Sequence, residues 1–204
     1  MKLYFSPGAC SLAPHIVAHE LGIALETERV DGKAKKTASG ADFWAINPKG
    51  YVPALALDDG QILTEGPVIS QYLADQRPGS GLAPASGTIE RYRLQELLGY
   101  INSELHKSYS PLFRPDTPEE TRNERKEYLK KRYALIEGLL GDGKAYLTGD
   151  TFTVADAYLF TVTNWARIVK LDLADFPKLL AFQARVASRP AVQAAMKAEG
   201  LIKE

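Results

Sequence analysis

The sequence predicts an α/β domain followed by an all-α, helical-bundle domain. Over residues 1 to about 78, short strand-like runs alternate with helix-like runs in the order β-α-β-α-β-β-α. Next comes Arg77-Pro78-Gly79-Ser80-Gly81-Leu82-Ala83-Pro84, whose proline, glycine and serine content reads as a linker. Beyond it, every periodic segment has helical spacing. The expected division is residues 1–78, a linker over 79–86, and a helical domain over 87–204.

Lys2–Phe5 is a strand-prone run, and Ser11–Leu21 a helix with Pro14 in its first turn and Gly22 as its stop. Leu25–Val30 alternates as a strand does. Ala41–Ile46 is a short helix before the turn signal Asn47-Pro48-Lys49-Gly50. Ala54–Leu57 and Gln61–Thr64 flank Asp58-Asp59-Gly60, which predicts a hairpin. Glu65–Asp75 closes the first domain, with Val68, Ile69, Tyr72 and Leu73 at helical spacing.

In the second domain, Thr88–Leu112 carries Leu94, Leu97, Leu98, Ile101 and Leu105 on one face. Pro118–Leu140 is a charged amphipathic helix with Thr117 as its expected cap. Thr153–Ile168 is apolar on nearly every side and should be the buried central helix. Its first residues form a capping box, Thr153 with Asp156. Phe176–Ser188 and Pro190–Glu199 complete the set.

The 25 basic and 25 acidic residues cancel, so no electrostatic footprint points to nucleic acid or an anionic membrane. The most apolar stretch, Ala157–Val162, is too short to cross a bilayer. One cysteine cannot form an internal disulfide, and three histidines with one cysteine argue against a metal cluster. With no signal-peptide pattern at the start, the expectation is a cytoplasmic protein.

Cys10 stands where the first strand hands over to the first helix. There the helix dipole and unpaired N–H groups favour a thiolate. The alternative is a buried cysteine acting as a small hydrophobe. Tyr51-Val52-Pro53-Ala54 leads into a strand. If Val52–Pro53 is cis, the Val52 N–H and C=O can pair with an extended peptide, although a trans proline starting a strand is the commoner case. Glu65-Gly66-Pro67 opens a helix whose N–H groups suit a carboxylate, with Glu65 beside them for an ammonium. The alternative is a plain helix start. In Glu104-Leu105-His106-Lys107, His106 can give a hydrogen bond or proton to a thiol, and Lys107 a positive field. His15 and His19, four apart, read as structural or surface residues.

In this order the pieces resemble the glutathione transferases over nearly the whole chain. The first half resembles their thioredoxin-like domain, the second their helical domain. The subclass resembled is the bacterial beta class, on Ser6-Pro7-Gly8-Ala9-Cys10-Ser11-Leu12, Asn47–Leu55, Thr64-Glu65-Gly66 and Glu104–Lys107. Together with Ala198–Glu204, these are most similar to members associated with the breakdown of aromatic and chlorinated aromatic compounds.

The resemblance implies glutathione as co-substrate, no metal, and a small hydrophobic electrophile. Cys10 would lie beside the glutathione sulfur, with Ser11 and His106 helping to hold its thiolate. The Val52 main chain would pair with the cysteinyl backbone, with Tyr51 and Pro53 also binding glutathione, Glu65 and Gly66 would hold the γ-glutamyl end, and Lys35 would meet the glycyl carboxylate. Ser103 and Glu104 would reach a neighbouring subunit's site, with Lys107 nearby, which implies a homodimer. Tyr109, Phe113, Tyr158, Thr161 and Trp165 are candidates for the electrophile pocket, although Tyr158 and Trp165 suit a core equally well. Gly99 stands where beta-class members often carry an asparagine that helps bind the γ-glutamyl group, so weaker binding of glutathione, a substituting water or extra room near the site is expected. The implied reaction is conjugation of glutathione to electrophiles, or glutathione-dependent dehalogenation. Alternatives are a thiol–disulfide oxidoreductase using Cys10, and a non-catalytic binding protein of the same fold.

Overall fold

A computed structural model describes every residue except Asp142 and Glu204. The first strand, β1 (Lys2–Phe5), is the middle of a five-stranded sheet. It is followed by α1 (Leu12–Glu20), β2 (Glu26–Asp31), β3 (Lys36–Thr37), α2 (Phe43–Ile46), β4 (Ala54–Ala56), β5 (Ile62–Thr64) and α3 (Gly66–Asp75). The sheet order is β3-β2-β1-β4-β5, with β1 and β2 parallel and the remaining pairs antiparallel. The thioredoxin-like order is as expected, with one addition. β3 is two residues long, too short to carry an alternating pattern in sequence.

Strand alternation sends Tyr4 and Phe5 to opposite faces. Tyr4 packs with Val30, Phe43 and Ala54. The Phe5 ring lies 6.0 Å from that of His15 on α1. On α1 and α3, Ile16, Val17, Ile69 and Leu73 are fully buried, and the two helices pack together.

The chain divides into two compact units, Met1–Ala83 with Ser188–Glu204, and Pro84–Ala187. The last helix, α10 (Pro190–Ala198), therefore belongs with the sheet, whereas the sequence reading placed it in the helical domain. The cause is a set of contacts to α1, remote in sequence. Val192 and Ala195 are buried, and Arg189 grips both carboxylate oxygens of Glu20 at 2.6 and 2.8 Å.

In the helical unit, α4 (Ile89–Tyr100) runs into a π-helical segment, Ile101–His106, then α5 (Lys107–Tyr109) and a 3-10 turn, Ser110–Phe113. The sequence predicted one uniform helix here. Leu94, Leu98, Ile101 and Leu105 are buried as expected. The next helix is α6 (Glu119–Leu139), preceded by Pro118; the hydroxyl of Thr117 donates to the Pro111 carbonyl instead of capping it. The expected central helix is buried from Thr153 to Thr163, divides at Asn164 into α7 (Val154–Thr163) and α8 (Trp165–Ile168), and ends exposed at Arg167 and Ile168. α9 (Pro177–Ala187) packs on α7 and α6. Among the described residues, no helix is long and apolar enough to cross a membrane.

The capping box at α7 is present. The Asp156 carboxylate accepts the Thr153 N–H at 2.8 Å and its hydroxyl at 2.7 Å, and reaches further to the Leu147 N–H at 2.9 Å. Burial pushes its pKa up to about 6, against the pull of these donors. A raised carboxylate pKa stabilises the fold most below the unfolded value, and that contribution is lost as pH rises through about 6. Wild type should therefore lose about 2 kcal/mol relative to Asp156→Asn between pH 4 and pH 7. Urea unfolding at several pH values measures this, and a relative gain for wild type would mean the donors outweigh burial. At Gly99, a Cβ meets nothing within 4 Å. Gly99→Ala should thus raise stability by about 0.5–1 kcal/mol in the same assay.

Candidate functional site

The turn Ser6–Ser11 carries the single cysteine and is closed by its own bonds. The Ala9 N–H donates to the Ser6 carbonyl at 3.0 Å. The Ser11 hydroxyl accepts the Ser6 N–H and donates to the Ser6 carbonyl, both at 3.2 Å. Ser11 is fully buried, so its hydroxyl holds the turn and offers no surface to a ligand. That corrects the part expected of its hydroxyl in holding a thiolate. The first N–H groups of α1 are also engaged, Leu12 with the Ala9 carbonyl and Ala13 with the Cys10 carbonyl.

Two bonds tie this turn to the sheet side of its unit. The Ser6 hydroxyl donates to the Val30 carbonyl at 2.6 Å. The Cys10 thiol donates to the Val52 carbonyl at 3.3 Å, which requires the protonated form. The Val52–Pro53 peptide is cis. A Cβ placed on Gly66 would lie 3.7 Å from the Pro53 ring and 3.8 Å from the Cys10 carbonyl. Three motifs far apart in sequence thus meet at one point: the cysteine turn, the proline before β4, and the start of α3.

The N-terminus of α3 is narrower than expected as a carboxylate site. Pro67 has no N–H, and the Val68 and Ile69 N–H groups donate to the Glu65 carbonyl at 3.0 and 2.9 Å. Gly66 is left as the first-turn donor that the cap does not use. Glu65 sits at φ +70°, a conformation rare for a residue with a side chain. Its carboxylate is half-exposed and pairs with Lys49 at 2.8 Å. Lys49 also donates to the Thr64 hydroxyl at 2.9 Å. An exposed pair of this kind contributes at most about 1 kcal/mol, so a ligand ammonium can compete for Glu65.

Lys35, at φ +55°, donates to the Gly50 carbonyl at 2.8 Å. Its ammonium lies 5.6 Å from the Trp44 ring centre and 5.3 Å from that of Tyr51, which is exposed. Buried Asn47 donates to the Tyr51 carbonyl at 2.7 Å and accepts the Lys49 N–H at 3.1 Å, pinning the loop that delivers Val52. Trp44, Asn47 and Lys49 were not among the expected site residues; the Asn-Pro-Lys-Gly signal showed a turn but not what the turn holds.

In the helical unit, the π segment brings Asn102 and His106 to one phenol. Tyr158 donates to Asn102 Oδ1 at 2.9 Å, and its oxygen lies 2.6 Å from His106 Nδ1. The His106 ring stands edge-on to Trp165 at 4.9 Å. Trp165 also meets Tyr109 and Phe113 edge-on, each at 5.6 Å. Among the proposed pocket residues, Phe113 is the exposed one. Thr161 and Tyr109 are fully buried, and Tyr158 and Trp165 nearly so. Thr161 bonds the Ala157 carbonyl, and Tyr109 the hydroxyl of Tyr133. Burial raises the Tyr109 pKa and pushes that of Tyr133 up to about 12, so both stay neutral core groups. As placed here, Thr161 and Tyr109 are core residues and not pocket walls. Ser103 and Lys107 are exposed, and Glu104 accepts the Tyr128 hydroxyl at 2.5 Å and pairs with Arg132 at 2.9 Å.

Among the described residues, no group of three or more histidine, cysteine, aspartate or glutamate side chains comes together as a metal site. His15 nevertheless has an acidic partner, Glu199, at 3.0 Å, which the sequence reading did not find.

Gly50 sits at φ +66°, and a Cβ there would lie 2.4 Å from the Trp44 ring. Gly50→Ala should cost about 1–3 kcal/mol through backbone strain and displacement of Trp44. A thermal midpoint equal to wild type would show that the loop adapts freely.

Residues 8–76 match the family described as glutathione S-transferase, N-terminal domain, and residues 100–190 that described as glutathione S-transferase, C-terminal domain. The chain is 49% identical over 201 residues to glutathione S-transferase GstA of Escherichia coli O157:H7, covering 98% of this chain and 100% of the relative. Among solved structures, a ternary complex of BphK, a bacterial GST, superposes with a TM-score of 0.96 at 54% identity, covering 98% and 100% of the two chains. A bacterial beta class glutathione S-transferase of Sphingomonas chungbukensis superposes with a TM-score of 0.95 at 46% identity, covering 99% and 100%.

Proposed function

Because this chain belongs to the glutathione S-transferase family, in its bacterial beta class, we propose that it joins glutathione to small aromatic electrophiles, chlorinated ones among them. That it is a glutathione transferase follows from the family; the electrophile is the proposed part. The observation that carries the glutathione site is the meeting of the Cys10 carbonyl, the Pro53 ring and Gly66.

In this reading the Val52 main chain pairs with the cysteinyl backbone of glutathione. Tyr51 and Pro53 flank it, Gly66 and Glu65 take the γ-glutamyl carboxylate and ammonium, and Lys35 takes the glycyl carboxylate. The Glu65 ammonium partner replaces Lys49, and the Lys35 partner replaces the Gly50 carbonyl. The first exchange swaps one exposed ion pair for another, and the second gives the Lys35 ammonium a carboxylate in place of a neutral carbonyl. The glutathione thiol gives up its proton, its sulfur bonds the electrophilic carbon, and in the chlorinated case chloride departs. Cys10 is proposed to stand beside that sulfur, with His106 as the proton partner that the resemblance implies. Ser103, Glu104 and Lys107 are proposed to act at the site of a second copy in a homodimer, and Phe113, backed edge-on by the nearly buried Trp165, to supply apolar surface.

The test is calorimetric titration with glutathione, together with the glutathione-dependent loss of a chlorinated nitrobenzene. Wild type should bind and turn over. Glu65→Ala should bind glutathione about tenfold more weakly, as expected for losing a charged hydrogen-bond partner. Cys10→Ala should abolish the mixed disulfide that glutathione disulfide forms with the Cys10 thiol, releasing one glutathione, as seen by mass spectrometry, while conjugation persists. Absence of binding at millimolar glutathione would overturn the reading.

A further inference from the structure

The C-terminal stretch Ala198-Glu199-Gly200-Leu201 has no part in the roles above, yet it holds a fully buried carboxylate. We propose that Glu199 is a positioning residue for the Cys10 turn, setting from the far end of the chain where the thiol and its backbone stand. The proposal rests on the reading of that turn as part of the glutathione site.

Glu199 follows the last turn of α10 and its side chain is 0% exposed. One carboxylate oxygen accepts the Gly8 N–H at 2.8 Å, and the other meets His15 Nδ1 at 3.0 Å. A single acceptor therefore holds the turn two residues before Cys10 and the helix five residues after it. Gly8 sits at φ +71°, and the Leu201 side chain lies 3.3 Å from where its Cβ would be. The tail thus fixes Gly8 by a hydrogen bond and by contact. Two bonds from this turn run to the sheet side, from Ser6 to Val30 and from Cys10 to Val52. Glu199 fastens Gly8, which lies between them in sequence.

Docking of α10 does not depend on this carboxylate alone. Arg189 binds both oxygens of Glu20, and Val192 and Ala195 are buried. A carboxylate buried only to attach the helix would duplicate these contacts. Its reach to Gly8 points instead to the turn.

The experiment uses the full-length protein, whose single cysteine makes alkylation by iodoacetamide report on Cys10 alone. Glu199→Ala should change the alkylation rate several-fold and weaken glutathione binding about tenfold, in line with loss of a hydrogen bond to a charged group. Glu199→Gln, whose amide oxygen still accepts the Gly8 N–H, should stay within about twofold of wild type in both. Where the alanine variant does not fold, Glu199→Asp, shorter by one methylene, supplies the comparison. Arg189→Gln should lower the unfolding midpoint and leave both readouts unchanged. The proposal is overturned if Glu199→Ala alkylates and binds as wild type does, or if Arg189→Gln reproduces its shifts. Should wild type itself fail to bind glutathione, only the glutathione reading falls; the alkylation rates still decide the role of Glu199.

Discussion

The candidate site depends first on how β1 is paired. It is the strand hydrogen-bonded on both edges with the cysteine turn at its end, parallel to β2 and antiparallel to β4. The antiparallel register sets Tyr4 opposite Ala54. The residues just before β4 therefore arrive beside the turn that follows β1, and the Cys10 thiol meets the Val52 carbonyl. A slip of one residue would send Tyr4 to the Phe5 face and carry Val52 away from the thiol. Packing of Tyr4 against Phe43 and Val30 resists that slip. The hairpin from β4 to β5 then delivers Glu65 and Gly66 to the same place. One register thus brings three motifs together.

Much of this was legible because its signals are local. Gly22 stops α1, Asp58-Asp59-Gly60 turns the hairpin, and Thr153 with Asp156 starts α7. What was not legible depends on partners remote in sequence. The place of α10 follows from Arg189 meeting Glu20 and Glu199 meeting Gly8, pairs separated by 169 and 191 residues. The two-residue β3 and the π segment fall below the resolution of periodicity. A π turn inserts one residue into a helix without altering the apolar spacing enough to register over six residues.

Side-chain chemistry read from sequence alone failed most often where a group had two possible uses. Ser11 was a sound candidate to hold a thiolate by type and place, but its hydroxyl closes the turn. Tyr109 and Thr161 share the spacing of a pocket wall and of a core, and burial decides for the core. Tyr158 is nearly buried too, but its phenol bridges Asn102 and His106 and so orients the imidazole. Spacing tells which face a residue takes; it does not tell what lies opposite.

The two units solve one problem in the same way. A tight connection next to a helix leaves backbone N–H groups that neither helix nor sheet can satisfy, and burying them unpaired is costly. In the helical unit, Asp156 reaches beyond its own cap to the Leu147 N–H. In the sheet unit, Glu199 reaches the Gly8 N–H. A carboxylate suits this task because it only accepts, with two oxygens that can face different segments. Asp156 accepts donors from its own neighbourhood of sequence, so it strengthens a local fold. Glu199 takes its donors from the other end of the chain, so the geometry of the cysteine turn depends on the last helix being in place.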